Sequence, residues 1–207
     1  MYGQKPVVIG QFNTQCKEMM FYQDMLIKIE HGPKFHIEKR LKIFAPIIEK
    51  CEKDFMDTFG LHEYLDHYMY LSAKHLFQPA NQSYNRPGWH ADGFGTDDIN
   101  YIWSNKFPTV FNNSKFNLSD DDSLSMNEMT EQALPENDFT YPDNSIVRLS
   151  QYNIHRVATG TPAGFRTFVK VTFSKFKFNL LGNTHNYKLD YNWNMVPRNT
   201  ERNIVKG

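Results

Sequence analysis

The sequence has 207 residues and no net charge, and 40% of its residues are apolar, with 15% aromatic. This favours one globular domain and excludes a transmembrane helix, because no run approaches roughly 18 consecutive apolar residues. The N-terminus lacks a signal-peptide pattern, and two cysteines, Cys16 and Cys51, are too few for a disulfide framework or a thiolate metal site, so we expect a reducing, cytoplasmic location.

The first predicted elements are a strand over residues 6–12 and an amphipathic helix over residues 35–59. Pro46 lies inside the helical run and predicts a kink, and Gly60 predicts its end. Cys51 lies on the apolar face and is expected to be a buried thiol. Apolar residues that recur at spacings of three and four define that face: Ile37, Leu41, Phe44, Ile48, Cys51 and Phe55.

Strand signals dominate the chain after this helix. Segments rich in Tyr, Ile, Val, Phe and Thr are separated by Gly, Pro and Asn. A helical part over about residues 1–65, followed by strands over about 66–178, is typical of a β-sandwich or barrel buttressed by helices. The predicted strands cover residues 66–77, 84–92, 99–111, 145–155 and 165–178.

An acidic insertion over residues 112–144 interrupts the strands. Its charge is −7, so the rest of the chain carries +7. A long polar segment of this kind is either functional or disordered. The basic remainder favours an anionic substrate, although a solvated acidic loop on an ordinary protein explains the same pattern. The polar extension over residues 179–207 contains scattered aromatic residues and is expected to pack on the body of the same single domain.

The stretch RPGWHADGFG at residues 86–95 contains a histidine and a carboxylate two residues apart. On a β-strand, His90 and Asp92 would point to the same side and could hold one face of a metal ion. The triplet His-x-Asp also arises by chance at this composition. The motif therefore needs a third ligand.

His155 offers that third ligand. The predicted strand 145–155 ends at this histidine, a turn containing Gly and Pro follows, and the next strand begins near Arg166. A hairpin of this kind predicts that His155 and Arg166 lie on adjacent strands near the same end of a sheet. Two histidines and one carboxylate form the facial triad of non-haem Fe(II) oxygenases, and an arginine binds a carboxylate through two parallel hydrogen bonds.

Over residues 84–174 the chain resembles the Fe(II)/2-oxoglutarate-dependent dioxygenases, through the patterns His-x-Asp and His-x10-Arg. The resemblance implies a mainly β fold, the double-stranded β-helix or cupin-like jelly roll, buttressed by N-terminal helices. It implies that His90, Asp92 and His155 bind Fe(II) and that Arg166 binds 2-oxoglutarate. The implied reaction uses O2, converts 2-oxoglutarate to succinate and oxidises a substrate, typically by hydroxylation.

Further roles are predicted around these residues. Tyr101 lies on the strand after the His-x-Asp motif and is predicted to hydrogen-bond 2-oxoglutarate. Trp89, Phe94 and Trp103 are predicted to shape a substrate pocket, with packing in the core as the alternative for each. By the resemblance, the insertion at 112–144 is expected to form a lid over the substrate.

Three interpretations stay open at this point. The first is a 2-oxoglutarate-dependent hydroxylase acting on a small molecule, a nucleotide or nucleic acid, or a protein side chain. The second is a non-catalytic jelly-roll binding module. The third is a cupin-like enzyme with another metal and no 2-oxoglutarate, and replacing Arg166 would discriminate it from the first. The nucleic-acid-demethylating branch shows a second arginine where this chain has Thr172, which disfavours a repair-type demethylase.

Overall fold

The computed structural model describes residues 1–198, apart from the side chain of Asp122. In this part of the chain, three α-helices are seen: α1 (Ala45–Phe59), α2 (Leu61–Asp66) and α3 (Asp122–Gln132). Short 3-10 helices cover Lys39–Phe44 and Pro135–Asn137. The strands are β1 (Val7–Gln11), β2 (Met20–Lys28), β3 (Tyr68–Gln78), β4 (Ile99–Ser104), β5 (Val110–Asn112), β6 (Asp138–Thr140), β7 (Ser145–Leu149), β8 (His155–Arg156) and β9 (Gly164–Ser174). The described helices are too short or too polar to cross a lipid bilayer.

The strands form two antiparallel sheets. The larger sheet has the order β1-β7-β4-β9-β3-β2, and the smaller has the order β6-β5-β8. A bridge between His90 and His155 extends the smaller sheet by one more segment. From β3 onward the chain alternates between the sheets: β3, β4, β7 and β9 lie in the larger, and His90, β5, β6 and β8 in the smaller. This winding is a double-stranded β-helix, and the predicted fold class is confirmed.

The larger sheet has one face against the helices and the other toward the smaller sheet. Odd-numbered residues of β9 face the helices, where Phe173 stacks on Phe55 of α1 with ring centroids 4.1 Å apart. Burial of side chains of this size is worth about 1.5–3 kcal/mol each. Even-numbered residues of β9, including Arg166 and Lys170, lie on the inner face between the sheets. The charged side chains of β9 therefore lie on the inner face, and the main hydrophobic core lies between the outer face and the helices.

The predicted helix over 35–59 is shorter than expected. A 3-10 helix precedes α1, which begins at Ala45, so Pro46 lies in the first turn and does not kink the helix. A missing N–H has no consequence there, because first-turn N–H groups have no intrahelical partner. Gly60 ends α1 with φ 92°, in the region that favours glycine, and Cys51 is fully buried, as predicted.

Several predicted strands have different limits. Residues 84–92 form only the single bridge at His90. The predicted strands 99–111 and 145–155 are each divided in two, because the chain leaves the larger sheet for the smaller one between the halves. The strand β2 was not predicted.

The acidic insertion is largely ordered as secondary structure. It contains α3, whose N-terminus is capped by the Asp121 carboxylate, which accepts hydrogen bonds from the backbone N–H groups of Ser123 and Leu124. It also supplies β6 to the smaller sheet. The loop-like description of 112–144 was therefore wrong over much of its length.

The C-terminal extension packs on the inner face of β2 and β3. The side chains of Leu189, Tyr191 and Trp193 lie against a cluster that includes Tyr68 and Tyr70. Residues 199–207 of the predicted extension lie outside the described part of the chain.

Candidate metal centre

His90, Asp92 and His155 converge at one point. Each offers a ligand atom, and these atoms lie within 4.8 Å of one another. Reciprocal backbone hydrogen bonds of 3.0 and 2.9 Å join His90 to His155, which fixes the two rings with centroids 4.4 Å apart. Asp92 follows two residues after His90, on the turn that leaves the bridge. The structure thus brings together the three residues that the sequence predicted as metal ligands.

Backbone carbonyls orient both imidazole rings. The Nδ1 atom of His90 lies 2.9 Å from the carbonyl oxygen of Gly88, and that of His155 lies 2.9 Å from the carbonyl oxygen of Asn153. A carbonyl only accepts, so each Nδ1 carries the proton and donates it. Each Nε2 is then left with a free lone pair, which is the arrangement that metal-binding histidines use.

The charges around the cluster also favour a bound cation. Burial, and then the neighbouring His155, lower the pKa of His90 to about 3, so the ring is neutral and able to bind a metal. Burial alone would raise the pKa of Asp92, but Lys170, His155 and His90 hold it below its ordinary value. The carboxylate is therefore ionised. Two imidazole nitrogens and one carboxylate are the donor set that suits a divalent iron.

A cavity of about 620 Å³ opens onto the cluster. Among the described residues, Asp92 is the only carboxylate in its wall. Asp92 Oδ2 lies 3.8 Å from the ammonium of Lys170, and Arg156 is paired with Asp138 at 3.0 Å. Four basic side chains line the cavity: Lys74, Arg86, Arg156 and Lys170. This excess of positive charge favours anionic ligands.

Arg166 lies on the inner face of β9, as the predicted role requires, but it lines a small adjoining pocket that shares Lys74 and Phe168 with the cavity. Its Nε donates to the carbonyl oxygen of Lys106 at 3.1 Å, and its guanidinium carbon lies 5.1 Å from the ring centroid of Phe168. Burial lowers its pKa to about 10, so it remains charged at neutral pH. The expected hairpin with His155 was wrong, because β8 and β9 belong to different sheets.

The structure does not bring Tyr101 and Trp103 to this cavity. Both point to the outer face of the larger sheet, where the Tyr101 hydroxyl donates to Asp54 on α1 at 2.8 Å. Trp103 donates its ring N–H to the carbonyl oxygen of Phe12. A contact between Tyr101 and a ligand at the His–Asp–His cluster would need the side chain to cross the sheet, so that predicted role is withdrawn.

Trp89 and Phe94 flank the cluster without lining the cavity. The Trp89 ring lies under the guanidinium of Arg156, at 4.8 Å, and Phe94 stacks on Tyr2 at 5.4 Å. Trp89 therefore contacts one residue of the cavity wall, Arg156, and also packs against the apolar cluster that contains Ala91.

Sequence reasoning missed the lysines of the cavity. Lys74 and Lys170 each interrupt an apolar strand, in LSAKHLF and FRTFVKVTF. Lysines are rarely buried unless they have a partner, so a lysine inside a strand of this kind was the available signal. Met126 of α3 also lines the cavity, which places part of the acidic insertion at the site.

Comparisons with known proteins find only distant likeness. No protein-family model and no curated protein matches the chain. A 2OG-Fe(II) oxygenase family oxidoreductase from Burkholderia pseudomallei is 13% identical with a TM-score of 0.42, over 77% of this chain and 73% of that one. EvdO2 from Micromonospora carbonacea var. aurantiaca is 15% identical with a TM-score of 0.40, over 67% and 66%. Likeness of this degree does not place the chain in a family.

Proposed function

We propose that this protein is an Fe(II)- and 2-oxoglutarate-dependent oxygenase, acting as a hydroxylase on a substrate still to be identified. The observation that carries the proposal is the convergence of His90, Asp92 and His155 within 4.8 Å. Both histidines have their Nδ1 atoms committed to backbone carbonyls, so both Nε2 atoms are free. A facial arrangement of these three groups is the donor set of non-haem Fe(II) oxygenases.

The residues present fit that cofactor. His90 and His155 would bind Fe(II) through Nε2, and Asp92 through its carboxylate. Iron bound there with 2-oxoglutarate and O2 would supply the oxidative decarboxylation that yields succinate and CO2 and inserts oxygen into the substrate. Asp92 also faces the ammonium of Lys170 at 3.8 Å, which orients the carboxylate.

The cavity supports an anionic co-substrate. Its wall combines four basic side chains with one carboxylate, and the guanidinium of Arg166 lies beside Phe168 at one end. The side chains of Ile102 and Phe168 add apolar surface to the same wall. The free thiols Cys16 and Cys51 accord with a reducing, cytoplasmic compartment, in which Fe(II) would also persist.

An anaerobic titration tests the proposal. Metal-free protein is titrated with Fe(II) and then with 2-oxoglutarate, and the visible charge-transfer band between iron and the keto acid is recorded. We expect a band in the wild type, its loss in Asp92→Ala and its weakening in Arg166→Ala. Circular dichroism of each variant shows whether it is folded.

The two alternatives give different results in the same titration. Iron binding without a 2-oxoglutarate band, from folded protein, would favour a cupin-like enzyme that uses another co-substrate. Absence of any metal binding would favour a jelly-roll binding module. The fixed histidine tautomers argue against the second alternative, because a module that binds no metal has no use for two free Nε2 atoms facing one carboxylate.

A further inference from the structure

The inner face of β3 and β9 carries three cations in one patch. In the antiparallel register, Lys74 of β3 lies opposite Phe168 of β9. Its two diagonal neighbours on β9 are then Arg166 and Lys170, each at about 7–8 Å between backbones. Long side chains meet at such separations. An anion placed beside Phe168 would therefore be within reach of all three.

Lys74 has unfilled hydrogen-bonding capacity toward the cavity. Its ammonium donates to the carbonyl oxygen of Tyr84 at 3.1 Å and to Asn85 Oδ1 at 3.3 Å. An ammonium has three protons, so one donor remains. Among the described residues no carboxylate forms an ion pair with it, and its side chain lines the cavity that contains the metal cluster.

The three cations lie at different distances from the metal cluster along the strands. Lys170 is next to the metal cluster, through Asp92. Lys74 is opposite Phe168, one step of two residues from Lys170, or about 7 Å along the strand. Arg166 is two steps away, or about 13 Å. An extended five-carbon dicarboxylate with one end at the metal matches the single step better than the double one.

We propose that Lys74 binds the carboxylate of 2-oxoglutarate that lies away from the metal. This inference rests on the proposed function and adds a co-substrate residue that the sequence motif did not include. Arg166 lies beside Phe168 in the adjoining pocket and adds positive charge near the same carboxylate. Tyr84 and Asn85 hold the ammonium at the cavity wall through the hydrogen bonds already described.

The electrostatic surroundings of Lys74 favour the binding of an anion. Burial, and then the like charges of Lys170 and Arg166, lower its pKa to about 8, and only Asp24 opposes them among nearby acids. A bound carboxylate would remove this repulsion, because an opposite charge at close range favours the charged form of an amine.

Calorimetric titration of the protein loaded with Mn(II) in place of Fe(II) tests the inference without turnover. Lys74→Met should bind 2-oxoglutarate about 10–100-fold more weakly than the wild type, the range expected for one hydrogen bond to a charged group. Its Mn(II) affinity should be unchanged. Lys106→Met is the matched control, because Lys106 lies at the same end of the sheet but outside the cavity. The substitution leaves its backbone carbonyl in place to accept the hydrogen bond from Arg166.

A second ligand identifies which end of the co-substrate Lys74 contacts. 2-Oxobutanoate keeps the keto acid but lacks the distal carboxylate, so Lys74→Met and wild type should bind it equally. Lys74→Arg should recover part of the 2-oxoglutarate affinity. If Lys74→Met does not fold, Lys74→Gln, which removes the charge and keeps a donor, replaces it.

The outcomes separate this inference from the proposed function. Wild-type affinity for 2-oxoglutarate in folded Lys74→Met overturns the inference and leaves the proposed function standing. Equal weakening of both ligands also overturns it, because the contact would then not involve the distal carboxylate. No 2-oxoglutarate binding by the metal-loaded wild type overturns both.

Discussion

The ion pair between Asp92 and Lys170 predicts that one substitution changes both metal binding and stability. Asp92→Asn keeps the shape of the side chain and removes its charge. Metal affinity should fall by more than about 100-fold, because loss of a ligand exceeds the 10–100-fold effect of losing a group that only supports one. The metal-free protein should also lose stability, because Lys170 keeps its charge and loses its partner.

The size of the stability loss follows from the geometry. At 3.8 Å, two unit charges attract by about 1 kcal/mol in water and about 4 kcal/mol at an effective dielectric constant near 20. The side chains are 25% and 23% exposed, so the pair lies between these limits. We expect a loss of about 1–3 kcal/mol, which lowers Tm by about 2–12 °C for a chain of this size.

The measurement is a double-mutant cycle in chelator-treated protein. Urea unfolding is recorded for wild type, Asp92→Asn, Lys170→Met and the double variant. The coupling energy should match the predicted loss, and the double variant should be more stable than the sum of the single effects implies. Zero coupling would show that the two charges are screened from each other. Unchanged metal affinity in Asp92→Asn would remove the cluster as the metal centre.

Three further predictions concern residues outside the ligand set. Tyr101→Phe should cost about 1.5–3 kcal/mol of unfolding free energy, because its hydroxyl donates to the charged Asp54, and should leave 2-oxoglutarate affinity unchanged; weakened binding would return Tyr101 to the site. The 2-oxoglutarate affinity of the wild type should fall about tenfold per pH unit above a pH of about 8, as Lys74 loses its proton, whereas Lys74→Arg should show no such fall; equal profiles would exclude Lys74 as the titrating group. Asn186→Ala should cost about 2–4 kcal/mol in urea unfolding, because its buried amide donates to two backbone carbonyls, those of Leu26 and His36; a loss below about 0.5 kcal/mol would mean that water replaces the amide.

The metal ligands could be predicted from the sequence because their signal is local. His90 and Asp92 are two residues apart, and His155 ends a strand-forming run. Their convergence, however, depends on the bridge between His90 and His155. Nothing in the spacing of the two histidines specifies that pairing, so the ligand types and their order could be predicted but the contact between the histidines could not.

The face of the sheet to which each side chain points was much harder to predict. In β4, all residues after Ile99 are buried, because one face packs on the helices and the other faces the smaller sheet. A strand buried on both faces lacks the alternation that reveals which residues share a face. Tyr101 was therefore assigned to the site, although the register pairs it with Val171 on the outer face.

The predicted hairpin between His155 and Arg166 was wrong for a different reason. A strand, a turn and a strand read as a hairpin, yet the same pattern describes a crossing from one sheet to the other. The choice depends on pairing with distant strands: β8 pairs with β5, and β9 pairs with β3 and β4. Such contacts leave no local trace in the sequence.

The distribution of charge links the acidic insertion to the proposed site. The chain has a net charge of zero, but four basic side chains line the cavity. The acidic insertion offsets part of this positive charge. Asp138 of β6 holds Arg156 at 3.0 Å, while Met126 of α3 reaches the same cavity. Within residues 1–198, Lys74 forms no ion pair of this kind. Asp138 of the insertion thus pairs with Arg156, and the proposed role of Lys74 is to bind an anionic ligand.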